Sequence, residues 1–325
     1  MIQTRNISID ILKFLAVLFI TNSHMDLLYG EYFYLATGGA IGDALFFFIS
    51  GFTIFLGRDY KDFGNYYKRR INRIYPTVFA WAMISSIFLH NNKSFIDILI
   101  IGGSWFVSCI MIYYVFLYFI RKYLINHLKP VFFTTIAISL SLYPIFREVD
   151  TFNIYGDTYY KWVFFFCYML QGAILGLHSK QNTLYIKSGW LEITKFFLCI
   201  IAFYGFCFFK TSINWNYLQL ISLFPLLGII CYLYRWCNSN YVKSLFSNKI
   251  IGNIISIIGG LCLEVYLVQS SIFTDKLNFL FPLNILIIFA VILVCAYLLR
   301  CLSRIWAQTF KDCDYNWKEV FKIHP

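Results

Sequence analysis

Apolar residues run through this chain in long blocks, separated by short polar stretches rather than interleaved with them. A hydrocarbon core takes about 20 apolar residues to cross as a helix. Ten blocks come near that length, at about 7–25, 39–57, 75–91, 104–121, 131–147, 160–178, 190–209, 217–235, 251–273 and 281–302. Several of them reach it only when flanking aromatics are counted. Between the third and fourth blocks, SFIDILIIGGS (94–104) reads as a re-entrant candidate. None of the blocks shows the ten-residue alternation of barrel strands. Lipid leaves no backbone group unpaired, so the blocks predict helices. The expected fold is all-α: a polytopic membrane bundle of about ten transmembrane helices over 1–302, with a short cytoplasmic tail over 303–325.

Composition agrees. The chain is 60% hydrophobic, 21% aromatic and only 13% charged, whereas soluble domains carry about one quarter charged residues. The net charge of +11 would raise nucleic acid as a partner in a soluble protein. Its distribution points elsewhere. With the N-terminus placed in the cytoplasm, the inside segments hold twenty Lys and Arg residues and the outside segments four. That asymmetry is the positive-inside pattern and predicts both termini in the cytoplasm. The first block contains Asp10 and Lys13 and no small-residue cleavage site follows it, so it reads as a retained helix rather than a signal peptide. Ten cysteines occur without a CxxC pair, most of them inside apolar blocks. They read as small apolar residues, with neither a disulfide framework nor a metal site.

Against this background the ionisable residues inside blocks stand out, since each costs roughly 2.5–3.5 kcal/mol at mid-membrane and normally faces a cavity or a partner. Asp10, Lys13 and His24 share the first block. A helix turns 100° per residue, so Lys13 and His24, eleven residues apart, fall within about 20° of one another. Asp10 lies on the same stripe, and His24 is roughly 16 Å further along the axis than Lys13. An Asp10–Lys13 ion pair with a wetted His24 is one reading of this stripe; a polar path through the bundle is the other. The second block carries Asp43 and Ser50 on one face, with Gly38, Gly39, Gly42, Ala44 and Gly51 small enough for close helix approach. Arg69, Arg70 and Arg73 share a face in YYKRRINRIYP (66–76) and suit phosphate or carboxylate, or an anionic lipid surface. Trp105 opens the fourth block as a belt candidate. Glu264, in LEVYLVQSS (263–271), is a lone acid deep in a block, and Lys13 or Lys195 is its candidate structural partner. His90, His127, His178 and His324 lie at loops or ends and are assigned nothing.

Taken in order, these stretches resemble the membrane-bound acyltransferase 3 family. The carriers are Ile9-Asp10 with Lys13 and His24; LFFFISGF ending at Phe52; Arg70 and Arg73 followed by Pro76; Trp105-Phe106-Val107-Ser108; and Leu263 to Gln269. Three departures accompany them. Cys109, Ile110 and Met111 follow the serine where many members have an acid, Gln269 stands where many have histidine, and Lys13 replaces the commoner arginine. The resemblance implies an O-acetyltransferase of the bacterial inner membrane acting on a surface polysaccharide or related glycan. Acetyl-CoA would be the cytoplasmic donor, its phosphates held by Arg69, Arg70 and Arg73, with no metal. His24 would be general base or acyl relay, Lys13 and Asp10 would set the electrostatics, and Ser50 and Tyr266 would donate to the thioester oxygen. Glu264 joins them as a candidate site acid. The implied partners are the bilayer and a glycan acceptor, not nucleic acid.

The rival reading is a transporter or flippase of a lipid-linked sugar. Transporters are often built from inverted repeats with broken helices in matching positions, and no such pairing shows in the sequence. A glycan polymerase would need a long outside loop, and every outside segment here is short. A scaffold without chemistry would not need the Asp10–Lys13–His24 stripe or Glu264.

Overall fold

A computed structural model describes residues 6–88, 94–101, 105–146, 153–156, 158–181, 189–213 and 217–323. Arg5, His90, Lys93, Arg147, Lys187 and His324 lie outside the described residues. The structure is 85% helical, without strands among the described residues. In chain order the helices are α1 (Ile7–Ser23), α2 (Asp26–Tyr29), α3 (Gly39–Leu56), α4 (Phe63–Phe88), α5 (Phe95–Ile101) and α6 (Trp105–Tyr123). Next come α7 (Leu128–Phe146), α8 (Tyr160–Lys180), α9 (Trp190–Ile213), α10 (Tyr217–Ile221) and α11 (Leu223–Cys237). The chain continues with α12 (Asn240–Ser247), α13 (Lys249–Gly260), α14 (Cys262–Val268), α15 (Leu283–Thr309) and α16 (Trp317–Val320).

Every predicted block is built mainly of helix where it is described, which is what an apolar solvent demands of a backbone. Among the described residues seven stretches are long and apolar enough to be single spans. The first and ninth blocks are bent. The first turns by 65° between α1 and the segment Asp26–Leu35, and the ninth by 57° between α13 and α14 with its continuation to Ser271. The third block differs most from expectation. Its helix does not begin at 75 but at Phe63 and runs through Pro76 to Phe88, so the basic stretch and the apolar stretch form one rod. Proline removes one hydrogen bond, and here the helix tolerates that loss. The re-entrant candidate contains only the seven-residue α5, and 102–104 fall outside the described residues.

The chain divides into two compact units. One comprises Met1–Leu12, Ala40–Asp59 and Phe119–Ile251. Its core is aromatic: Phe47, Phe48, Phe52, Phe55, Phe164, Phe165 and Tyr168 are fully buried. Phe48 and Phe52 meet Tyr234 of α11 with ring centroids 5.5 and 5.4 Å apart, and Phe47 meets Phe165 of α8 at 5.7 Å. The α3–α8 seam is a backbone-to-backbone contact. A Cβ on Gly51 would strike the main chain of Met169, and one on Gly172 or Gly176 that of Phe48 or Phe52. Polar cross-links finish this unit. Arg121 caps the Ile54 and Gly57 carbonyls at the end of α3 and pairs with Asp59 at 2.5 Å, which Lys180 also reaches at 3.0 Å. Glu192 bridges Lys195 at 2.9 Å and Arg235 at 2.7 Å, tying α9 to α11.

The other unit comprises Lys13–Gly39, Tyr60–Tyr118 and Gly252–Pro325. Here α4 packs on α15 through Phe79 stacked on Trp306 at 4.2 Å, and on α6 through Phe63 and Tyr66 against Tyr118. Asn284 of α15 donates to the Leu28 carbonyl at 2.8 Å and Asn278 to that of Leu27 at 2.9 Å, holding α2 in place. The end of the chain folds back: Arg304 donates to the Val320 and Lys322 carbonyls, Tyr297 to that of Phe321, and Val320 is fully buried.

Candidate active site

The first candidate is His24. The helical stripe drawn through Asp10, Lys13 and His24 presumes a helix that reaches residue 24, and α1 stops one residue short. The His24 amide still donates to the Thr21 carbonyl at 3.1 Å, which keeps the turn tight. The chain then bends, so the exposed imidazole stands at the mouth of the break rather than on the rod. Asp26 is its charged neighbour. Three side chains fix the elbow around it. Asn22 donates to the Leu35 and Thr37 carbonyls, both at 2.9 Å, and Tyr29 donates its hydroxyl to Asn22 Oδ1 at 2.6 Å. A turn earlier on α1, Thr21 Oγ1 is buried and has no hydrogen-bond partner among the described residues. The elbow is followed by Gly38 at φ +103°, a conformation that favours glycine, against the ring of Phe19.

Lys13 and Glu264 come together in the same unit. Cys262 Sγ lies 3.8 Å from the Lys13 carbonyl, and the charges of Lys13, Glu264 and Arg300 all act on that thiol. Glu264 is buried, and its partner is Arg300 rather than Lys13 or Lys195: Nε donates to Oε1 at 3.2 Å and Nη2 to Oε2 at 2.9 Å. Lys195 instead serves Glu192. Arg300 is the site-region residue that sequence reasoning missed, because it was counted among cytoplasmic charges while the fold buries it in α15. Its signal was present: an arginine inside the predicted 281–302 block, as exceptional there as Glu264 in its own. Tyr266, on the turn after Glu264, packs its ring on Phe106 at 5.3 Å. Gln269 is buried, with Oε1 unpartnered among the described residues.

The arginine cluster lies on the first half of α4. Arg70 is half-buried, with its guanidinium over the rings of Tyr66 at 5.1 Å and Tyr114 at 5.4 Å. Arg69 covers Tyr60 at 5.2 Å and is exposed, as is Arg73. Stacked guanidinium planes keep their outer edges for planar or tetrahedral oxyanions. Asp10 and Ser50 belong to the other unit. Asp10 is half-buried on α1; Ser50 is half-buried on α3, where its carbonyl accepts from Thr53 Oγ1 at 3.2 Å. In that unit Asp43 has Lys161 as its cationic counterpart. All ten cysteines are free thiols.

Outside the membrane-spanning segments Asp59 has a perturbed acidity. Partial burial raises its carboxyl, but hydrogen bonds and charge from Lys180 and Arg121 outweigh that and bring it below the usual value.

An all-α bundle with several helices long and apolar enough to cross a membrane is the architecture of a multi-pass membrane protein. The family model described as an acyltransferase domain, acyltransferase 3, matches residues 6–301, and the chain belongs to that family. It is a membrane acyltransferase, an enzyme that transfers acyl groups. Neither a comparison with curated proteins nor one with solved structures gave a match.

Proposed function

We propose that the enzyme moves an acetyl group from cytoplasmic acetyl-CoA to a hydroxyl of a cell-surface carbohydrate or its lipid-linked precursor, in a bacterial inner membrane with both termini cytoplasmic. The observation that carries the reading is the family match over residues 6–301, which supplies the reaction class. The rest is residue chemistry. Arg70 and Arg73, with Arg69, offer forked donors to the donor's phosphates. Histidine is the side chain whose ordinary titration range lies nearest neutral pH, and His24 stands exposed at a break, open to a hydroxyl. As general base it takes the hydroxyl proton while the oxygen attacks the thioester carbon; the C–S bond breaks, and the leaving thiolate takes that proton back from the imidazolium to depart as CoA. Negative charge grows on the carbonyl oxygen in the transition state. Tyr266 is the candidate donor to it, and Lys13 with Glu264 sets the field around it, all three in the same unit as His24.

The two bent helices give the transport reading one supporting feature, since broken helices recur in transporters. They fall in the first and ninth of ten blocks, not at corresponding places in two halves. Radiolabelled acetyl-CoA supplied to membranes separates the readings. Label should enter glycan with wild type and fall by about 10²–10⁴ with His24→Ala at equal expression, the usual worth of a general base. Equal label in wild type, His24→Ala and Lys13→Ala would remove both residues from the chemistry. Absence of both transfer and donor hydrolysis in the presence of the host's glycans would favour transport.

A further inference from the structure

The break between α13 and α14 is closed by one side chain. α13 ends at Gly260, α14 starts at Cys262, and the axis turns by 57°. Such a break frees backbone carbonyls, and hydrocarbon has no water to take them. Arg300 reaches in from α15. Its Nη2 donates to the Gly260 carbonyl on one side of the break and to Glu264 Oε2 on the other, while Nε donates to Glu264 Oε1. Arg300 is 7% exposed and Glu264 6%. The third nitrogen, Nη1, is buried and has no hydrogen-bond partner among the described residues. A buried ion pair seldom out-stabilises apolar side chains of the same volume, and an unmet buried donor costs about 1–3 kcal/mol. Stability alone therefore does not account for a guanidinium here.

What the clasp does fix is direction. Beyond it lie Tyr266, packed on Phe106, and the buried Gln269; before them Cys262 sits against the Lys13 carbonyl of α1. We propose that Arg300 is a positioning residue of the acyl-transfer site: by holding both ends of the break it sets α14, with Tyr266 and Gln269, against α1 at Lys13. This rests on the acyltransferase reading above. A lysine at this position keeps the charge but loses the planar fork that serves Gly260 and both Glu264 oxygens at once.

The test compares wild type, Arg300→Lys, Arg300→Gln and the neutral double variant Glu264→Gln with Arg300→Gln. Melting in detergent reports folding. Initial rates of label transfer from acetyl-CoA in membranes, per folded molecule and over a range of donor concentration, report kcat and KM. Arg300→Lys should fold and hold its donor KM while kcat drops about tenfold or more, as expected for a misplaced group. The double variant should fold better than Arg300→Gln without recovering turnover. If Arg300→Lys does not accumulate, Arg300→Gln decides, its turnover taken per folded molecule. Wild-type kcat in any folded variant, or a change confined to donor KM, overturns the proposal and leaves Arg300 a brace or a donor contact. No transfer by wild type overturns the acyltransferase reading itself and this inference with it.

Discussion

Gly51→Ala tests the α3–α8 seam on which one unit is built. The new Cβ would lie 2.9 Å from the Met169 carbonyl carbon and 3.1 Å from the Ala173 nitrogen, and closer still to the Met169 carbonyl oxygen. Carbon contacts are comfortable at about 3.5–4.0 Å, so the two helices must part by roughly 1 Å at this point. The obstacle is backbone, which has no rotamer to retreat into. Parting also opens the layer formed by Phe47, Phe48 and Phe52, all completely buried. Overpacking of this kind costs about 1–3 kcal/mol, and the rigid neighbours put this site at the upper end. Melting followed by fluorescence in detergent should show a drop of about 5 °C or more. Gly205→Ala in α9 is the matched control, because its Cβ meets nothing within 4 Å; it should melt with wild type or slightly above it, alanine being the better helix former. Indistinguishable melting of the two variants would refute the close approach of α3 and α8.

Three further outcomes are expected. Arg70→Ala combined with Arg73→Ala should raise the KM for acetyl-CoA about tenfold or more with little change in kcat, the worth of one or two hydrogen bonds to a charged group; an unchanged KM would leave α4 a lipid-facing surface. The Asp59 carboxyl titrates below its usual range, so its contribution is complete above the ordinary aspartate value near pH ~4 and is lost as acid titrates the folded protein. Wild type should therefore lose melting temperature below about pH 4 more steeply than Asp59→Asn, and parallel profiles would sink the argument; the group is largely exposed, so the difference is small. Asn284→Ala strips the Leu28 carbonyl of its donor inside a buried setting and should cost about 1–3 kcal/mol in melting, while a thermally silent variant would show that the elbow is held by other contacts.

The blocks were legible because a membrane allows a backbone few choices, and apolarity alone marks where those choices apply. The bends were not. Nothing at His24 and Met25 breaks a helix by composition, and the turn there is made by Asn22 and Tyr29 bonding to groups at Leu35, Thr37 and Asn22 itself. α4 misled in the opposite direction: Pro76 after a run of charges reads as a start, yet the buried Tyr66 and Ile74 show that the charged half also has a face to pack, so one helix serves both. Glu264 was conspicuous as a buried acid, but its partner lies 36 residues away on another helix, a relation that spacing on one helix cannot reveal. The glycines of the second block were read as packing positions, and Gly51 is one, with α8 as the partner that only the fold could supply.

The length of α4 has a consequence for the proposed donor site. Twenty-six residues of continuous helix make a rod of about 39 Å, against a hydrocarbon core of about 30 Å. Charge keeps Arg69, Arg70 and Arg73 out of hydrocarbon, and they stand in the first half of the rod, so on the proposed topology those guanidiniums lie at the depth where phospholipids carry their own phosphates. On the proposed reading, a soluble cofactor has to displace lipid headgroups to occupy its seat. The composition of the surrounding leaflet then becomes a competitive inhibitor: in reconstituted vesicles the apparent KM for acetyl-CoA should climb with the fraction of anionic lipid, and a flat response would place the cluster clear of the headgroups.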